Sequence, residues 1–140
     1  MFITLKLLHM LALLLGGAAT LGPIVLQRSL ALSGQTTPAP STPLALRAFG
    51  ITGLLAILIL WITGLMMLSQ GYDGASFGIW FAVKMLAATA ILLAAITLNF
   101  LAARAARNGT PPNPAVFKPL TMLIRWALPI AIIGAVLTFS

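Results

Sequence analysis

Three ionisable side chains, Lys6, His9 and Lys84, stand inside stretches that are otherwise apolar enough to cross a bilayer. A charge at the centre of the hydrocarbon costs about 2.5–3.5 kcal/mol on insertion scales, so such residues mark ion or proton paths, cofactor sites or paired interior groups. A neutral imidazole can bind haem iron or copper, or relay a proton. A lysine can carry a defined charge in the interior, or reach back along its methylene stem to the headgroups. Lys6 and His9 are three positions apart and so share a helix face, which continues through Leu13, Gly16 and Thr20. The plainer expectation for His9 is a hydrogen bond to a neighbouring helix, and for Lys6 it is snorkelling. Lys84 follows Phe77, Ile79, Trp80 and Phe81, which places it deeper than a snorkelling residue prefers.

The residue inventory excludes much other chemistry. With Asp73 as the sole acidic residue there is no carboxylate pair for glycoside hydrolysis and no acidic cage for calcium. Without cysteine there is no disulfide, thiolate nucleophile, zinc finger or iron–sulfur cluster. One histidine cannot supply both axial ligands of a haem. No phosphate-binding glycine loop is present either. The net charge of +7 is spread along helix ends rather than gathered on a soluble domain, so anionic lipid headgroups, not nucleic acid, are the expected partners.

The elements that must position these residues follow from hydropathy. A chain that is 61% hydrophobic and 6% charged, with a mean hydropathy of +1.11, cannot hide its apolar surface in a soluble domain of 140 residues. Four apolar runs predict membrane-spanning helices over residues 3–27, 44–68, 77–103 and 118–139, each near the 20 or so residues that a bilayer core about 30 Å thick requires. No run alternates with period two, so the expected fold is all-α: a single up-down-up-down four-helix bundle over residues 1–140. The first run also has the outline of a secretory signal, with Lys6, an apolar stretch and Gly16-Gly17-Ala18-Ala19; a retained helix is the reading adopted. Residues 31–43, polar and rich in proline, predict a mobile loop, and Ser69–Ser76 a tight turn.

Arg28, Arg47, Arg104, Arg107 and Lys118 fall around the first and third connections. The positive-inside rule therefore predicts both termini on the outer, periplasmic side of a bacterial inner membrane, with these cations against cytoplasmic anionic headgroups. In that orientation Lys6, His9 and Lys84 each lie roughly 5–10 Å inside the same boundary and can converge. Asp73 reads as a turn residue able to pair with one of them. Gly16, Gly17, Gly50, Gly53, Gly64, Ala87, Ala88, Ala94, Ala95 and Ala102 predict close helix contacts, Asn99 an interhelical hydrogen bond, and Arg125 a snorkelling side chain. Met10, Met66, Met67, Met85 and Met122 read as core filler, with Met85 a weak second metal ligand beside Lys84.

Lys6-Leu7-Leu8-His9, then Gly16-Gly17-Ala18-Ala19, Pro23 and Arg28, resembles the first helix of a group of small bacterial membrane proteins that includes the HemJ-type protoporphyrinogen oxidases and the CopD copper-resistance domain. Trp61-Ile62-Thr63-Gly64-Leu65 and Trp80-Phe81-Ala82-Val83-Lys84-Met85-Leu86 resemble their second and third helices, so the likeness covers residues 3–95. The resemblance implies haem b binding through His9 and a role in activity for Lys84. The chain departs from the HemJ pattern at Leu26-Gln27-Arg28-Ser29, where HemJ has an aromatic run ending in tyrosine-histidine, and at Trp126-Ala127-Leu128-Pro129, where HemJ has asparagine-glutamate after its arginine.

The first expectation is thus an accessory or structural member of this group, acting as a homo-oligomer or as a subunit of a larger membrane complex. The second is a haem b or porphyrin-handling protein, with His9 on the iron and Lys84 and Lys6 as cofactor-holding cations. The third is a small transporter or proton relay built from the same three residues. No reaction is fixed by the inventory.

Overall fold

The computed structural model describes residues 2–34, 41–71 and 78–139. It is an all-α four-helix bundle of α1 (Phe2–Leu32), α2 (Ser41–Gly71), α3 (Ile79–Asn108) and α4 (Pro114–Phe139), and the described residues form no strand. Each helix is long and apolar enough to cross a membrane. The Ser69–Ser76 turn lies largely outside the described residues, Asp73 with it.

The helices run past the apolar limits read from sequence, and local chemistry explains why. Residues 31–32 and 41–43, expected in a loop, are helical, because α1 continues to Leu32 and α2 begins at Ser41. Pro43 is tolerated there since first-turn N–H groups have no intrahelical acceptor. Asn113 caps α4: its side-chain oxygen accepts from the Ala115 amide at 3.0 Å, and Pro114 follows at the first helical position. The helix therefore starts at Pro114, earlier than the apolar run. At the other end of that connection α3 closes on Gly109, whose left-handed φ of 62° lets its own amide and that of Thr110 return to the Ala105 carbonyl. At a rise of 1.5 Å per residue, helices of 26–31 residues measure about 39–47 Å, so they outreach a hydrocarbon core of about 30 Å, and Arg28, Arg47, Arg104 and Arg107 lie toward their ends while Arg125 lies mid-helix.

α1 lies along α2, and α3 along α4; these hairpins meet through α2 and α3, while α1 and α4 meet only sparsely. The α1 stripe that packs on α2 is Leu5, His9, Ala12, Gly16 and Ala19. Small residues let the backbones approach. A Cβ on Gly53 would meet the Ala19 methyl at 3.4 Å, and one on Gly16 the Ala56 methyl at 3.6 Å. Near the end of α1 the Phe49 ring lies against Gly22, where any Cβ would overlap it. Gly17 faces open space, so of the expected Gly16-Gly17 pair only Gly16 packs.

Between α2 and α3, Ile57, Ile91 and Ala95 form a core with Ala127 of α4, flanked by Leu54, Leu60, Trp61, Leu92, Ile124, Leu128 and Ala131. Asn99 bridges these helices as its type predicts, donating from Nδ2 to the Gly50 carbonyl at 3.1 Å as well as to Ala95 at 2.9 Å. Of the nine buried apolar side chains among the described residues, six are alanines. Large apolar side chains such as Leu14, Leu55, Phe100 and Ile133 instead face outward, as a lipid-solvated bundle requires. Arg125 and its neighbour Trp126 are exposed on α4.

Candidate functional site

The end of the bundle that carries the start of α1 and the end of α4 holds the polar centre. His9 enters it because it lies on the packed stripe of α1, four residues after Leu5 and three before Ala12. Its Nδ1 stands 2.8 Å from the hydroxyl of Thr63 on α2. Thr63 is buried, and its Oγ1 is also 2.7 Å from the Ile59 carbonyl and 3.3 Å from that of Leu60. One residue on, Gly64 lies beside the imidazole: a Cβ there would stand 3.6 Å from His9 Cε1, an ordinary van der Waals contact. Trp61, a turn before, donates its indole N–H to the Ala88 carbonyl at 3.4 Å and ties α2 to α3 at this level.

Lys84 arrives from the second turn of α3 and is half-buried. Its backbone is held against α4: a Cβ at Gly134 would stand 3.3 Å from the Lys84 amide nitrogen, the Lys84 Cβ and the Trp80 carbonyl oxygen. His9 and Lys84 line one cavity of about 50 Å³ together with Leu60, Trp61, Gly64, Phe81 and Met85. Of the three residues whose depth lets them converge, His9 and Lys84 line one cavity, and Met85 lines it with them.

Lys6 does not line this cavity and is exposed. A helical step is about 100°. The packed stripe is centred between Leu5 and His9, so Lys6 falls to its side although it shares a broad face with His9. Met10, Met66 and Met122 are exposed. The described residues contain no group of three metal-binding His, Cys, Asp or Glu side chains.

Thr63 is the site residue that spacing did not single out, and Gly64 was expected only as a packing glycine. The available signal was the hydroxyl of a threonine in the middle of an apolar helix, which must bond either its own preceding turn or another helix. A cavity of this size exceeds the roughly 10–15 Å³ that one water needs and falls far below the roughly 300–1,000 Å³ of drug-sized and cofactor pockets. One chain thus offers two basic residues, a thioether and an indole around a space for water or a small polar group. No family model, curated protein or solved structure matches this chain.

Proposed function

We propose that the protein is an accessory or structural subunit of a bacterial inner-membrane assembly, working as a homo-oligomer or beside other subunits. The observation that carries this reading is the small space at the polar centre: the cavity that His9 and Lys84 line is about 50 Å³, below the range of large-cofactor pockets, while the groove of about 390 Å³ beside Ala18, Ala19, Ala48 and Phe49 has an almost wholly apolar lining and neither His9 nor Lys84. The sparse meeting of α1 with α4 also leaves one side of the bundle weakly closed within the chain. Arg28, Arg47, Arg104, Arg107 and Lys118 are all exposed at the end away from the termini. By the positive-inside rule that end faces the cytoplasm and its anionic headgroups. These cations occupy separate helix ends, which favours lipid over nucleic acid.

Light scattering on size-separated protein in mild detergent, repeated in lipid nanodiscs, tests the reading. The expected particle contains more than one 14.7 kDa chain, or this chain in fixed ratio with another. Single-chain particles at every concentration in both media contradict it.

A second reading, haem b or porphyrin handling through His9 and Lys84, is favoured by one observation. The imidazole is oriented by a hydrogen bond at Nδ1, the outer-shell support that iron- and zinc-binding histidines use. Since the cavity of one chain does not admit a porphyrin, the group would lie between copies, with the partner copy completing the ligand set and Lys84, or the exposed Lys6, meeting its carboxylates.

A further inference from the structure

We infer that Thr63 fixes His9 as the tautomer protonated on Nδ1, so that Nε2 carries the lone pair and the cavity receives a water-sized hydrogen-bond donor. The inference concerns the candidate site around His9, and its test is independent of oligomeric state and of any cofactor.

The available protons fix the direction of each bond. The Thr63 oxygen stands 2.7 Å from the Ile59 carbonyl oxygen and 2.8 Å from His9 Nδ1. Both separations are hydrogen-bond lengths, and each requires one proton between the two heavy atoms. A carbonyl supplies none, and a hydroxyl supplies one. That single proton must lie toward Ile59, because two oxygens at that distance without a proton between them oppose lone pair to lone pair. The contact to His9 is therefore completed by the ring, with Nδ1–H donating to the Thr63 oxygen. In the neutral imidazole this leaves Nε2 unprotonated.

The consequence for the cavity is specific. An acceptor at Nε2 bonds a group that presents O–H or N–H, or a Lewis-acidic ion, and does not bond a bare anion. Lys84 lies on the same cavity wall, and when protonated its ammonium only donates. A guest touching both must accept from one and donate to the other. Water does this, and so does the carboxyl group of a protonated acid; the volume of about 50 Å³ admits the first outright. Thr63 is in this account a positioning residue that acts through His9.

The chain has one histidine, so labelling histidine with ¹⁵N gives one pair of ring-nitrogen signals. Solid-state NMR of the full-length protein in lipid bilayers, at alkaline pH where the ring is neutral, should show Nδ1 as the protonated and Nε2 as the unprotonated nitrogen. Thr63→Ser keeps the acceptor and should keep that spectrum. Thr63→Val removes it and should move the ring to a mixture of tautomers or to Nε2–H. Protonation at Nε2 in the unaltered protein overturns the inference, and so does a Thr63→Val spectrum identical to the parent's. The parent measurement stands even if a variant fails to insert.

Discussion

Ala56→Leu should destabilise the bundle by about 1–3 kcal/mol, the range for forcing extra methylenes into a packed interior. Ala56 is only 1% exposed, and its methyl sits opposite Gly16, on the seam where Gly53 also faces Ala19. An isobutyl group at so buried a position faces the α1 backbone at Gly16 and pushes the helices apart. In lipid that separation is not opposed by a hydrophobic penalty, and the close van der Waals contacts are the interaction lost. The neighbouring Leu55 is 55% exposed, and Leu55→Ala should change stability by less than about 0.5 kcal/mol. The check is the SDS fraction or temperature at which each variant loses helicity in mixed micelles. Equal behaviour of the two variants would mean that the α1–α2 seam does not hold the fold.

Gly134→Leu should have an effect of the same order, about 1–3 kcal/mol, with a different signature. The atoms nearest a Cβ at that position include the Lys84 amide nitrogen and the Trp80 carbonyl oxygen, which are backbone and cannot rotate aside. α4 must therefore lift from the first turns of α3, and Lys84 moves with the strain while His9, held by Thr63 on the other hairpin, does not. Gly134→Ala should be intermediate, since 3.3 Å is tight but within reach of a small shift. The readout that separates local from global damage is the rate at which amine-reactive reagents modify Lys84: faster in Gly134→Leu at temperatures where helicity is intact, unchanged if α4 does not pack there.

The bundle was legible because its cause is crude. Four apolar runs without period two leave the backbone no other way to satisfy its hydrogen bonds in lipid. The helix ends were less so, because hydropathy marks where the membrane stops rather than where the helix does. Asn113-Pro114 and Asn108-Gly109 carry cap chemistry outside the apolar runs, and only that chemistry locates the ends. At the polar centre, the joining of His9 and Lys84 followed from depth, which sequence gives through the rise per residue. The exclusion of Lys6 did not, because spacing of three residues defines a shared face but not which edge of that face packs. That edge is chosen by Leu5, Ala12, Gly16 and Ala19 against Gly53 and Ala56, a property of two helices together. The role of Thr63 was hidden for the same reason: its partner is 54 positions away and becomes visible only when α1 and α2 are in register.

The expectation of haem handling drawn from the sequence and the size of the cavity make opposite demands on a single chain. A porphyrin bound inside one bundle requires several times the space found around His9 and Lys84, whereas a water-sized guest fits as the site stands. Absorbance spectra, oxidised and dithionite-reduced, of the size-separated single-chain species from cells with ample haem decide between these, with His9→Ala beside them. The account predicts no Soret band on the single-chain species of either protein, any haem being confined to larger particles. A b-type spectrum on the single chain that disappears in His9→Ala would contradict it.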